Sequence, residues 1–186
     1  MRTINLSRQA APAAPGTAAA VGGEAKPVDL KRVAMMSPPL KLPDATGRVR
    51  ELDEFKGRNI VLVFFRGVQC LHCGEQLRDL VREARRSRGA DVEIVAVSSR
   101  RIADPARALQ LLGVEPADKF HLLVDEPHRA FREFGCLANG PQHGLFLIDE
   151  AGVVRSSYVG ETPFGDTEQV VERIRQLASA GPQTAR

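Results

Sequence analysis

The chain has 186 residues, 43% of them hydrophobic and 26% charged, and a net charge of +3. At about 150 residues per domain this is one domain with a tail, long enough to bury a core without disulfide or metal staples. The composition excludes wholesale disorder, and the longest uninterrupted apolar run, Ile60 to Phe65, falls far short of the ~20 residues a spanning helix needs, so no membrane is expected. Arg2, Arg8 and Lys26 against Glu24 put most of the positive charge in the first 27 residues. The rest is nearly neutral, has no basic stripe interleaved with aromatics and lacks Trp, so nucleic acid is not an expected partner.

Residues 1–27 are Ala-, Pro- and Gly-rich, with too little apolar bulk to offset the entropy of ordering. Pro12, Pro15 and Gly16 interrupt any secretion-signal core, so the segment reads as a flexible tail and the protein as cytoplasmic. Residues 28–179 form the predicted domain, and residues 180–186 a second short tail. In residues 38–58, Leu40 and Leu42 flank Lys41, a Pro-Asp-Ala-Thr-Gly turn follows, and Val49 to Leu52 complete a short hairpin. Asn59 to Phe65 is apolar, β-branched and bounded by Gly57 and Gly67, as in a strand buried on both faces.

From about Cys73 to Arg88 the apolar period becomes 3.6, with Leu77, Leu80, Val81 and Ala84 on one face; Gly89 ends the predicted helix. Arg82, Arg85, Arg86 and Arg88 belong to its solvated face and its C-terminal end. Val92 to Val97 is a second apolar strand, so residues 59–97 make a βαβ unit with a parallel pair. A helix from Asp104 to Leu112, a strand at 122–124 and a helix at 127–134 follow. Residues 145–148 and 153–159 form a hairpin around Glu150, Ala151 and Gly152. Asp166 caps a last helix, with Val170, Ile174, Leu177 and Ala178 as its apolar stripe. The predicted class is α/β: a mixed sheet flanked by helices on both faces, preceded by an N-terminal β-hairpin.

The chain has three cysteines, too few for a disulfide framework. Cys70 and Cys73 are spaced C-x-x-C where the buried strand ends and the helix begins. Sites in open α/β sheets lie outside the carboxyl ends of strands, and a helix N-terminus offers free N–H groups and a positive dipole end. Both favour a thiolate, the attacking form of cysteine, and such positions lower its pKa from ~8.5 to as little as ~3.5. The spacing also occurs in zinc half-sites; the strand–CxxC–helix context is what points to redox chemistry.

The run DEFKGRNIVLVFFRGVQCLHCGEQLRDL, with VEIVAVSS, FHLLVDEPHRAFREFG and HGLFLIDEAGVVRSSYVG after it, resembles thioredoxin-fold redoxins. It is most similar to their peroxiredoxin-like branch, the alkyl hydroperoxide reductase C / thiol-specific antioxidant group, over about residues 38–178. The resemblance implies a thioredoxin-like fold and an antioxidant thiol peroxidase that needs no cofactor. In the family's Pro-x-x-x-Thr-x-x-Cys motif, Arg66 falls on the proline, Cys70 on the threonine and Cys73 on the peroxidatic cysteine. His143 falls on the family's active-site arginine. The catalytic set is thus Cys73, Cys70, Arg66 and His143, with no resident metal. A Cys73 thiolate attacks the peroxide, Cys70 closes the CxxC disulfide, and an external thiol such as a thioredoxin reduces it. The resemblance leaves a homodimer open, though no unexplained apolar stripe marks an interface.

Two alternatives stay open on the residues alone. A thioredoxin-like thiol–disulfide oxidoreductase would use Cys70 as nucleophile on a disulfide substrate. A non-enzymatic redoxin-fold protein would bind Cu(I) or Zn(II) through Cys70, Cys73 and His143, which are soft or borderline ligands. Arg66 is expected to lower a thiolate pKa or to be a solvated strand-end charge. His143 is expected to act as acid, base or ligand, or to be a loop histidine tied to backbone. Cys136 reads as a small buried hydrophobe, with a second resolving role open. His72 and Glu75 read as helix-start surface residues, His121 and His128 as structural, and Gln76 stands where the family carries a glutamate.

Overall fold

The computed structural model describes residues 30–86, 92–115, 119–163 and 167–180. Their chain order is β1 (Lys31–Met36), β2 (Lys41–Pro43), β3 (Val49–Glu51), a 3-10 turn (Leu52–Phe55), β4 (Asn59–Phe65), α1 (Leu71–Arg86), β5 (Val92–Ser98), α2 (Pro105–Leu111), β6 (Phe120–Val124), α3 (Arg129–Glu133), β7 (His143–Ile148), β8 (Val153–Gly160) and α4 (Thr167–Ala180). The expected tail at 1–27, residues 181–186 of the tail expected at 180–186, the stop at Gly89, the cap at Asp166 and the side chains of Leu177 and Ala178 lie outside what is described, while Ala180 ends α4.

Six strands pair in the order β1-β8-β7-β4-β5-β6, while β2 and β3 form a separate hairpin. β4 runs parallel to β5, and β5 to β6; β7, β8 and β1 add on in antiparallel pairs. Every residue of β4 and β5 is buried, Asn59, Glu93 and Ser98 among otherwise apolar side chains, as in central strands covered on both sides. The pleat sorts them. Val61, Val63 and Phe65 pack with α1, α2 and α4, whereas Ile60, Leu62 and Phe64 pack with the β2–β3 hairpin and α3. Each large side chain so buried contributes roughly 1.5–3 kcal/mol.

Short-range polar chemistry sets the boundaries. The Asp44 carboxylate accepts from the backbone N–H of Thr46 and of Arg48, which closes the hairpin turn. Asp104 caps α2 by accepting from the Arg107 N–H at 2.9 Å. α1 starts two residues before the periodic reading places it, at Leu71, so Cys73 lies within its first turn.

β1 is an additional strand on the sheet edge: most of its side chains are exposed, and backbone pairing with β8, not an apolar face, holds it. His143 is not a loop residue; it opens β7.

Candidate active site

β4 carries the chain to the C-terminal edge of the sheet and ends at Phe65. Gly67 then turns it with φ of +115°, a conformation that residues with a Cβ rarely adopt. Its carbonyl accepts from the Cys70 N–H at 3.0 Å, which sets Cys70 at the threshold of α1. A disulfide joins Cys70 to Cys73 across 5.3 Å between Cα atoms. Cys73 is fully buried beneath the helix, and Cys70 is half-buried at the mouth. The Cys73 N–H, one of the unpaired donors of the helix start, points at Cys70 Sγ from 3.4 Å.

His143 arrives from the neighbouring strand. β7 pairs with β4, and its alternation puts Leu145 and Leu147 in the same core cluster as Cys73 while Phe146 and Ile148 face the opposite layer. His143 shares the first parity. It is buried, and its Nε2 lies 3.1 Å from Cys73 Sγ. Its Nδ1 lies 2.9 Å from the Glu161 carbonyl. A carbonyl can only accept, so Nδ1 carries the hydrogen and the neutral ring turns its bare Nε2 toward the sulfur. Burial is the largest influence on this imidazole and pushes its pKa below the usual histidine value. The Glu161 carbonyl opposes that, and the Arg66 charge reinforces it.

Arg66 is exposed at the exit of β4 and donates from Nε to the Pro141 carbonyl at 3.1 Å. Its charge acts on the His143 imidazole. Of the four predicted residues the structure brings Cys70, Cys73 and His143 together, while Arg66 stays outside that contact and reaches His143 only through its charge.

The other candidates separate cleanly. Cys136 is fully buried in the cluster on the far face of the sheet, where burial pushes its thiol up to about 12. It packs against Gly144 and is a small core hydrophobe, with the sheet between it and the dithiol. His72 is exposed and lies 3.6 Å from Glu75, both on the surface of α1. His121 lies 2.6 Å from the buried Glu93, and His128 donates to the Ser99 carbonyl at 3.0 Å; both are structural, as expected. Gln76, one turn beyond Cys73, holds a buried Oε1 with no hydrogen-bond partner. Glu161 carries no sequence signal of its role, because it contributes a backbone carbonyl and no side-chain type announces one.

Chemically, the site holds a dithiol/disulfide couple with a proton acceptor in contact with its inner sulfur. The donor atoms of Cys70, Cys73 and His143 also lie within 4.8 Å of one another, close enough to share one metal ion.

A sheet with this topology and a CxxC pair at the N-terminus of α1 defines a thioredoxin-fold thiol oxidoreductase. The sequence profile of the AhpC/TSA family matches residues 33–157. The chain belongs to that family. It is 25% identical over 146 residues to the chloroplastic peroxiredoxin Q of Sedum lineare, covering 76% of this chain and 75% of the relative. It is equally 25% identical over 143 residues to the thiol-disulfide oxidoreductase ResA of Geobacillus thermodenitrificans, covering 77% and 78%. Among solved structures, the bacterioferritin comigratory protein of Xanthomonas campestris superposes with a TM-score of 0.68 at 18% identity, covering 78% of this chain and 99% of that one, a likeness of fold.

Proposed function

We propose that the protein is a thiol peroxidase in which Cys73 attacks the hydroperoxide, Cys70 resolves, and His143 carries the proton between the two halves of the first step. The observation that supports this is the 3.1 Å contact between Cys73 Sγ and a bare His143 Nε2. In the reduced protein that nitrogen takes the Cys73 proton, leaving a thiolate beside an imidazolium. The thiolate attacks the distal oxygen of ROOH, the O–O bond breaks, and the imidazolium returns its proton to the departing RO⁻ as ROH. The Cys73 sulfenic acid then meets the Cys70 thiol, and the disulfide forms with release of water.

The two sulfurs divide their partners by size. A hydroperoxide is small enough to reach the inner sulfur once the disulfide is open, whereas a protein reductant of thioredoxin type meets the half-buried Cys70. Attack there expels Cys73 as a thiolate, with the reductant's sulfur joined to Cys70. Intact mass after one equivalent of peroxide tests the assignment. Cys70→Ser should gain one oxygen, trapped on Cys73, and Cys73→Ser should consume no peroxide catalytically. Full turnover in Cys73→Ser rules the scheme out.

One observation favours a second reading. The helix N–H on Cys70 Sγ at 3.4 Å supports an anion on the outer sulfur, which would serve attack on a protein disulfide. In that case insulin reduction depends on Cys70, and Cys73→Ser, not Cys70→Ser, accumulates a mixed disulfide. The mutual approach of three donors within 4.8 Å likewise supports a soft ion such as Cu(I) on the reduced dithiol and His143. Elemental analysis of reduced protein purified without chelator separates that reading from both enzymatic ones.

A further inference from the structure

We propose that Tyr158 is a positioning residue for the His143–Cys73 pair, acting through the backbone of Glu161. This rests on the reading that Cys73 gives its proton to His143. That transfer needs Nε2 bare, and Nε2 is bare only while Nδ1–H has a partner. The partner is the carbonyl of Glu161, just beyond the last residue of β8. If that peptide plane turned away, the hydrogen could move to Nε2, and the ring would face the sulfur with a proton it could not exchange for another.

Tyr158 brackets Glu161 through its two chain neighbours. Its hydroxyl lies 3.1 Å from the Thr162 carbonyl and 2.8 Å from Thr162 Oγ1. A phenol has one hydrogen, and the carbonyl can only accept, so Tyr158 donates to the carbonyl and accepts from the threonine hydroxyl. On the near side the hydroxyl folds over Gly160. A Cβ there would stand 2.3 Å from the Tyr158 oxygen and 2.8 Å from Cζ, so only glycine lets the ring tip lie so close to the backbone. Glu161 is therefore the one residue between a contact at Gly160 and a double hydrogen bond at Thr162. Pro163 further confines Thr162 to extended conformations.

The clamp is anchored to the rigid part of the fold. Tyr158 pairs with Leu145 across β7 and β8, and its ring packs against the core cluster that contains Cys73. The connection runs from the sheet through Tyr158, Thr162 and the Glu161 carbonyl to Nδ1, and across the imidazole to Cys73. A tyrosine that only tidied a strand end would have no reason to govern which nitrogen of His143 bears the hydrogen.

Tyr158→Phe in the full chain tests the proposal, because it keeps the ring and removes only the hydroxyl. Ring ¹⁵N shifts of His143 in the oxidised protein report the tautomer without any turnover. Thiolate absorbance in a Cys70→Ser background reports ionisation of Cys73. Losing one neutral hydrogen bond should reduce the share of the Nδ1–H tautomer about three- to tenfold relative to its competitor. The Cys73 thiolate midpoint should rise by about half a pH unit to one unit, with the peroxide rate at pH 7 falling in proportion and recovering at alkaline pH. Gly160→Ala, which must displace the same hydroxyl, should act in the same direction and replaces Tyr158→Phe if that variant does not fold. Wild-type tautomer and thiolate midpoint in the folded variant overturn the proposal, whatever the turnover. An unchanged thiolate midpoint in His143→Asn overturns the underlying proton-transfer reading instead, so the two failures are distinguishable.

Discussion

The unprotonated ring nitrogen of His143 and the sulfur of Cys73 meet at 3.1 Å although 70 positions separate them in the chain. Register brings them together: β7 lies antiparallel to β4, so the residue that opens β7 comes to rest over the helix that follows β4. His143→Asn keeps a polar group of similar reach but cannot take a proton. At pH 7 its reaction with hydrogen peroxide should slow by about a hundredfold or more, as for loss of a general base. The deficit should shrink as alkali ionises Cys73 unaided. Stopped-flow rates across pH check both parts.

The same histidine makes the oxidised protein sensitive to acid. Its folded pKa lies below the ordinary 6.5, chiefly through burial. Above pH 6.5 folded and unfolded chains both hold a neutral ring, and the residue adds no pH dependence. As the pH falls below 6.5 the unfolded chain takes up a proton that the folded one still refuses, so stability declines. Urea midpoints of the oxidised protein between pH 7.5 and 5 should show this slope, and His143→Asn should flatten that part of the curve.

Arg66 adds to the depression of that imidazole. Replacing it with leucine should let His143 hold a proton to higher pH in the oxidised form. NMR titration of the ring should show an upward shift. The shift should be small, since the guanidinium is exposed and its field is screened by water.

Cys136 should be inert as a thiol. With its pKa near 12 and no exposure, it should resist alkylation at pH 8 until the protein is unfolded. Gly144→Ala would place a Cβ 2.4 Å from Cys136 Sγ and 3.0 Å from Phe146, so overpacking of about 1–3 kcal/mol is expected. Because residue 144 adjoins His143, peroxide turnover should fall with it. Adding Cys136→Ala should restore part of the stability but not all, as Phe146 remains in the way. Chemical denaturation of the single and double variants checks the coupling.

A buried charge network lies at the other end of the strands. Glu93 is 2% exposed, bonded to Arg58 and to His121. Glu93→Ala would remove the carboxylate that Arg58 and His121 share. Since Arg58 is over a third exposed, the loss should be about 2 kcal/mol, below the range for fully buried pairs. Five strand residues, roughly 16 Å, separate it from the dithiol end, so activity of the folded fraction should hold.

Much of this architecture is legible in the sequence because single residues announce it. The apolar run of β4, the period of α1, the turn at Asp44 and the cap at Asp104 are local signals with local causes. β1 was invisible for the opposite reason: Lys31 to Met36 presents no alternating face, and its pairing with β8 exists only once the chain has folded back. The site divides likewise. The CxxC at a strand–helix junction carries its own chemistry, and His143 could be placed by resemblance. Which nitrogen of His143 is free could not, because a peptide carbonyl at Glu161 decides it and every residue has one. Cys136 was ambiguous until the pleat of β7 put Gly144 toward it and His143 away from it.

That pleat has a cost–benefit logic for an oxidant-handling molecule. While it turns over, the protein carries an electrophilic sulfur that any thiol within reach would capture, locking the chain into an unproductive bond. With Cys136 on one side of a six-stranded wall and the reactive pair on the other, the thiol of this chain that reaches the oxidised sulfur is the neighbour three positions away. The partition makes the order of bond formation a matter of architecture and spares it a race between competing thiols.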